Sequence, residues 1–241
     1  MKSIPFPYRT FWVVTLFAVA MAMLESAVVI YLRAMLYPDG FVFPLETLDL
    51  GLAVVEVSRE AATILMLIGI GWLAGNNGNT RFAYFLHAFA VWDIFYYVFL
   101  YVFLGWPQSP ATWDVLFLIP VMWVGPVWSP VLLSFMMIAF AVLLIRINAS
   151  GYISVGRNWY LLITGALTCI AAFCWDPVQF MMNQSSGKWY QADHLFKAHY
   201  VPQDFPEWLF VLGIALLIAG VFRYHQQNRF SKNRMMLGQF I

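Results

Sequence analysis

Charged residues are scarce in this chain. Lys, Arg, Asp and Glu make up only 10% of its 241 residues, while 62% are hydrophobic. A water-soluble domain usually contains about 25% charged residues, and a chain this apolar could not bury its surface in a soluble fold. The composition therefore excludes a soluble globular protein. It predicts a polytopic membrane protein whose main partner is the lipid bilayer.

The sequence also lacks the spacings that mark common catalytic and cofactor sites. It contains no Gly-x-Ser-x-Gly, His-Glu-x-x-His or dinucleotide fingerprint, and no cluster of Lys and Arg suited to nucleic acid. The two cysteines, Cys169 and Cys174, lie five residues apart in one apolar segment and would point to different faces of a helix. No cofactor, enzymatic reaction or nucleic-acid partner is indicated, whereas membrane-protein partners are compatible with the aromatic-rich surface.

Six apolar stretches approach or exceed the roughly 20 residues that cross a bilayer. We predict an all-α, single membrane domain over residues 1–241 with an outer loop at 176–206. Between the third and fourth spans, Pro120, Pro126 and Pro130 interrupt any helix, so a broken interfacial or re-entrant helix is expected over 111–124. The predicted transmembrane helices cover about 10–32, 50–74, 82–104, 127–147, 158–175 and 207–223.

The distribution of basic residues predicts the orientation. With a cytoplasmic N-terminus, nine Lys and Arg residues fall inside, whereas three, Arg33, Lys188 and Lys197, fall outside. This asymmetry follows the positive-inside rule and places both termini in the cytoplasm. The overall composition is typical of a multi-pass protein of a bacterial inner membrane.

Ionisable residues inside the predicted spans need a separate explanation. The stretch "VVEVSREAATILML", residues 54–67, contains Glu56, Arg59 and Glu60, and Glu25 and Asp93 lie in the neighbouring spans. Each charge facing lipid would cost at least ~2.5–3.5 kcal/mol, so these groups should face inward and meet one another or water. Glu56 and Glu60 share a helical face, and Arg59 can pair with Glu56. All four carboxylates lie in the middle-to-outer half of the bundle.

This convergence predicts a site for protons, a cation or a small polar ligand. One arginine cannot neutralise four acids, so at least two of them must be protonated, hydrated or bound to a cation. In this hypothesis the acids bind or relay, Arg59 sets their charge state, and His87 and Tyr97 complete a hydrogen-bonded path. The predicted site consists of Glu25, Glu56, Arg59, Glu60, His87, Asp93 and Tyr97.

Two other hypotheses remain open at this point. The charges could form a satisfied network that fixes helix packing in an accessory structural subunit of a larger membrane complex. They could also build the metal centre of a membrane-embedded, metal-dependent enzyme, although no Glu-x-x-His motif occurs. Asp114 is interpreted either as an acid at a helix N-terminus or as an outward extension of the cluster. The metal candidates are Glu25, Glu56, Glu60, His87 and Asp93, with His194 and His199 of the outer loop as a second, weaker set.

Overall fold

The computed structural model describes residues 6–46, 49–149, 159–184 and 200–238. These residues form six helices and one two-stranded antiparallel sheet. In chain order the elements are α1 (Tyr8–Leu36), α2 (Leu50–Ala74), α3 (Gly78–Leu104), β1 (Trp113–Phe117), β2 (Trp123–Pro126), α4 (Trp128–Ala149), α5 (Trp159–Gln184) and α6 (Glu207–Gly238).

Local sequence signals explain where α2 and α3 begin and end. The Asp49 carboxylate accepts a hydrogen bond from the backbone N–H of Leu52 at 2.9 Å and caps α2. Asn77 and Thr80 form a reciprocal capping box at the start of α3. This helix ends at Gly105, whose φ of +64° is the left-handed conformation that glycine adopts most easily.

The length and composition of the helices make the chain a multi-pass helical membrane protein. Within the described ranges, five helices are long and apolar enough to cross a membrane, namely α1, α3, α4, α5 and α6. Each predicted span overlaps one helix, but several helices run further than predicted. In particular, α5 continues to Gln184 despite Pro177, so the first part of the predicted outer loop is helical.

The second helix, α2, has several polar side chains on its buried face and many apolar side chains on its exposed face. Glu56, Glu60 and Thr63 are 5%, 7% and 3% exposed, whereas Val54 and Leu65 are 58% and 68% exposed. A soluble helix shows the opposite arrangement, with an apolar stripe turned to the core. The exposed face of α2 therefore suits lipid rather than water.

The helices form two packing groups, one centred on α3 and one that consists of α5 and α6. The third helix, α3, contacts α1, α2 and α4, while α5 packs along α6. The α5–α6 approach is close because glycines face the partner helix. A Cβ added to Gly165 would lie 2.9 Å from the carbonyl oxygen of Gly213. In contrast, α1 and α2 contact each other much less than each contacts α3, which leaves space between them.

The segment after α3 is a β-hairpin, so the helix predicted over 111–124 is wrong. Strands β1 and β2 pair antiparallel, with Asp114 opposite Gly125 and a register irregularity between Val115 and Phe117. β-Branched and aromatic residues favour extended backbone, and Pro120 lies in the connection between the strands, where it interrupts no ladder. The interpretation of Asp114 as an acid at the N-terminus of that helix is wrong for the same reason.

Candidate functional site

A cavity of about 180 Å³ lies between α1, α2, α3 and the hairpin. We call it the acidic cavity. Helix α1 contributes Glu25 and Arg33, and α2 contributes Glu56, Arg59 and Glu60 to its wall. The α1–α2 connection lines one end through Tyr37 and Glu46, and apolar side chains such as Leu32, Leu116 and Met122 complete the wall. From α3 and β1, the further polar lining residues are Trp92, Asp93, Tyr96, Tyr97 and Asp114.

Arg59 connects two of the carboxylates. Its guanidinium forms an ion pair with Glu25 of α1, and its Nη2 lies 2.8 Å from Glu56 Oε2 one turn earlier on α2. Thr63 donates a hydrogen bond of 3.1 Å to the second oxygen of Glu25. Each of the two carboxylates therefore has a cationic partner, and the pairs join α1 to α2 across the space between the helices.

Glu60 and Asp93 are compensated differently. Glu60 Oε2 accepts a hydrogen bond of 2.8 Å from the backbone N–H of Leu118, just after β1. Asp93 Oδ2 accepts one of 2.8 Å from the Ser134 hydroxyl of α4. Within the part of the chain that the structure describes, neither carboxyl group forms an ion pair. Both line the acidic cavity, so it contains two carboxyl groups without a cation.

A second buried ion pair joins α1 to the hairpin. Arg33 Nη2 lies 3.3 Å from Asp114 Oδ1, and the Tyr97 hydroxyl donates to Asp114 Oδ2 at 3.2 Å. The Arg33 guanidinium also stacks over Phe41 at 4.3 Å and over Trp106 at 3.8 Å. Burial raises the pKa of Asp114 to about 6, and the charge of Arg33 and the hydrogen bond from Tyr97 limit that rise.

The structure brings six of the seven predicted site residues to the wall of one cavity. His87 is the exception and does not line it. Its Nε2 lies 2.8 Å from the Thr15 hydroxyl, and its ring stacks on Phe11 with centroids 4.0 Å apart. His87 and Asp93 are six residues apart on α3, which turns their side chains about 120° away from each other. Tyr97 lines the cavity and bonds to Asp114 instead of to the four predicted acids.

The predicted metal sites have different outcomes. Across residues 6–46, 49–149, 159–184 and 200–238, no group of three or more His, Cys, Asp and Glu side chains is arranged to hold a metal ion. This finding covers the first set of metal candidates, which are Glu25, Glu56, Glu60, His87 and Asp93. His194 and His199 lie outside the described residues.

Arg33 is a functional candidate that the sequence did not indicate, and the partner of Asp114 was not indicated either. Arg33 was counted as an outer-loop residue because the first span was expected to end at residue 32, but α1 continues to Leu36 and Arg33 is only 8% exposed. Asp114 lines the cavity, as its interpretation as an extension of the cluster would require, and its partner is Arg33. The alternation of apolar and polar residues at 113–117 could have indicated a strand and, with it, an inward-facing carboxylate.

Comparison with known proteins provides no relative for this arrangement. No family model, curated protein or solved structure matches the chain.

Proposed function

We propose that the acidic cavity is a binding site for protons, a cation or a small polar ligand within the membrane. The observation that supports this proposal is the pair Glu60 and Asp93, two carboxyl groups that line one cavity without forming an ion pair. An ionised carboxylate in an apolar environment is strongly unfavourable unless it is paired. Each of the two therefore takes up a proton or shares a bound cation.

The total charge around the cavity supports the same proposal. Apart from the exposed Glu46, five carboxyl groups line the cavity, those of Glu25, Glu56, Glu60, Asp93 and Asp114, against two guanidinium groups, those of Arg33 and Arg59. Full ionisation would leave three uncompensated negative charges in the bundle. Bound protons or a cationic ligand would remove this excess, and charged groups within membrane segments are typical of ion and substrate pathways.

The proposal includes six membrane spans, with α2 as the sixth. The inward-facing polar stripe and lipid-facing apolar side of α2 support this assignment, together with its 25-residue length. The excess of basic residues in the segments on the side of the termini supports a cytoplasmic location for both ends. The chain would then be a protein of the cell membrane, of the bacterial inner-membrane type.

In this orientation the cavity is reached from the outer side. Tyr37 and Glu46 of the α1–α2 connection line one end of it, and Glu46 is exposed. The hairpin forms part of the wall through Val115 and Leu118. A ligand would therefore pass between the α1–α2 connection and the hairpin to reach Glu60.

The test measures what the folded protein releases when it unfolds. In an unfolded chain at neutral pH, the carboxyl groups of Glu60 and Asp93 would be ionised and free of ligand. Unfolding the purified wild-type protein in SDS and urea should release about two protons, or about one shared cation, more per chain than unfolding the Glu60→Gln/Asp93→Asn double variant. A pH-stat measures protons, and radioactive sodium or rubidium measures cations.

Asp39→Asn is the matched control, because Asp39 is an exposed acid outside the cavity. It should release as much as the wild type. Equal release from the double variant and the wild type would contradict the proposal.

A structural role in an accessory subunit of a larger membrane complex is the second candidate. It is favoured by the ion pairs of Arg59 and Arg33, which join α1 to α2 and to the hairpin. A solely structural network predicts no difference in release. It also predicts that the double variant loses stability, because the hydrogen bonds from Leu118 and Ser134 would be weakened.

A further inference from the structure

The hairpin is attached to the helices around the acidic cavity at two points that differ in charge. At the start of β1, Asp114 is held by the Arg33 guanidinium at 3.3 Å and by the Tyr97 hydroxyl at 3.2 Å. Just after β1, the backbone N–H of Leu118 donates to Glu60 Oε2 at 2.8 Å. The first attachment is a buried ion pair, whereas Glu60 forms no ion pair within the described residues.

The second attachment lies at the turn of the hairpin, residues 118–122, which we call the hairpin tip. Leu118 and Met122 line the cavity, and Met122 belongs to a buried apolar cluster against which Phe43 and Leu45 pack. Phe43 and Leu45 are part of the α1–α2 connection. The apolar side chains of the tip and of the connection therefore meet on the route proposed above for a ligand, and a ligand that takes this route must separate them.

The remainder of the hairpin is fixed by contacts outside the cavity. Strand β2 packs against α5 and α4. The Trp123 ring stacks on Phe173 of α5 with an interplanar angle of 8° and 6.1 Å between centroids. A Cβ added to Gly125 would lie 3.0 Å from the Phe173 ring. With Asp114 bound to Arg33 as well, we expect a movement that opens the route to occur at the tip.

The charge of Glu60 decides whether the closed position of the tip is favourable. A protonated carboxyl group keeps an oxygen that accepts from the Leu118 N–H, and it tolerates burial. An ionised carboxylate has about four acceptor sites, so a single N–H does not replace its hydration. The other charged groups that share the cavity interior are Glu25, Arg33, Glu56, Arg59, Asp93 and Asp114. Both arginines are paired with other acids, so neither supplies the cation that Glu60 lacks.

We infer that the hairpin tip is a lid, which closes over the acidic cavity when Glu60 carries a proton or a cation and opens when Glu60 is ionised and ligand-free. The bound ligand removes the charge that requires water, and the Leu118 N–H keeps its acceptor. Loss of the ligand leaves a carboxylate that water stabilises, so the tip separates from α2 and from the α1–α2 connection. This inference rests on the proposed function, because it assigns the control of access to the same binding site.

The distance between two spin labels tests the movement. Both native cysteines are replaced, and labels are attached to Val121→Cys in the tip and to Leu65→Cys on the exposed face of α2. Pulsed EPR is recorded on the protein in nanodiscs, with N-methylglucamine as the only buffer cation. One short distance is expected at pH 5 and an additional longer one at pH 9. The ratio of long to short distances should rise at least ~tenfold, the change that a difference of one pKa unit between the two forms produces.

Three matched proteins locate the effect. Glu60→Gln keeps an oxygen acceptor for Leu118 and cannot ionise, so it should show the short distance at both pH values. Asp204→Asn, which removes an exposed acid outside the cavity, should respond as the labelled parent does. A label at Ala111→Cys, before β1, in place of the one at Val121→Cys should report a single distance to α2 throughout, because Asp114 holds the start of the strand.

The possible outcomes separate this inference from the proposed function. Identical distances at pH 5 and pH 9 in the labelled parent would overturn the inference, as would an equal response from Glu60→Gln. A shift at Ala111→Cys as large as that at Val121→Cys would overturn the assignment of the tip as the moving part. If unfolding releases the extra protons or cation but the distances stay constant, the inference fails and the proposed function stands. If the release is absent as well, both fail.

Discussion

The pH dependence of stability should reveal the buried carboxyl group of Asp114. Burial raises its pKa from the ordinary 3.8 to about 6, against the opposing charge of Arg33. Because the folded protein holds this proton more tightly than the unfolded chain, the stabilisation is fully present below about pH 4 and is lost as the pH rises through about 6. The rise in pKa corresponds to roughly 3 kcal/mol.

Comparison with Asp114→Asn isolates this contribution, because all other titrating groups are common to both proteins. The free energy of unfolding in SDS and urea is measured for each at about pH 4 and about pH 8. The wild-type value minus the variant value should fall by about 3 kcal/mol between these conditions. A difference that stays constant, or that grows as the pH rises, would refute the assignment of Asp114 as a buried acid. Asp39→Asn should follow the wild type.

Two further predictions concern the ion pairs and the orientation. Glu25→Gln should lower the free energy of unfolding by about 1–3 kcal/mol, because Arg59 loses one charged partner and keeps Glu56. The same measurement on Glu60→Gln should show no such loss, since no ion pair is broken. Equal losses would contradict the conclusion that Glu25, but not Glu60, is held in an ion pair. In a background without the two native cysteines, a membrane-impermeant maleimide should label Asp39→Cys in intact cells and Gly78→Cys only after permeabilisation. The reverse pattern would invert the proposed topology.

The helices were predictable because the signals that specify them are local. Apolar length indicated the position of each helix, and residues 75–77, which are glycine and asparagine, separate α2 from α3. The hairpin was not predicted because its prolines were interpreted as breaks in a helix. Strand pairing depends on contacts between β1 and β2 and with α5 and α4, which no window of sequence contains.

The site was predictable only in part, for a related reason. Glu56, Arg59 and Glu60 share a few turns of one helix, so their proximity follows from helical spacing. Arg33 and Asp114 are 81 residues apart, and their pairing depends on how the hairpin returns to α1. His87 does not line the cavity, because a separation of six residues on α3 turns it away from Asp93. Packing against Phe11 and Thr15 of α1 fixes it elsewhere.

The separation of α1 from α2 connects the fold to the proposed function. Two helices whose buried faces were apolar would close against each other, since close packing maximises their contacts. Here the facing positions are Glu25 on α1 and Glu56, Arg59 and Glu60 on α2, and their side chains meet through an ion-pair bridge instead of direct backbone approach. The bridge spans the space between the two helices, and Glu60 takes no part in it. Replacing Glu60 with an apolar residue would leave the backbone N–H of Leu118 without this acceptor, so Glu60 also joins α2 to the hairpin. Among the described residues, Glu25 and Glu56 have a cationic partner and Glu60 has none, and the proposal of a bound proton or cation depends on this difference.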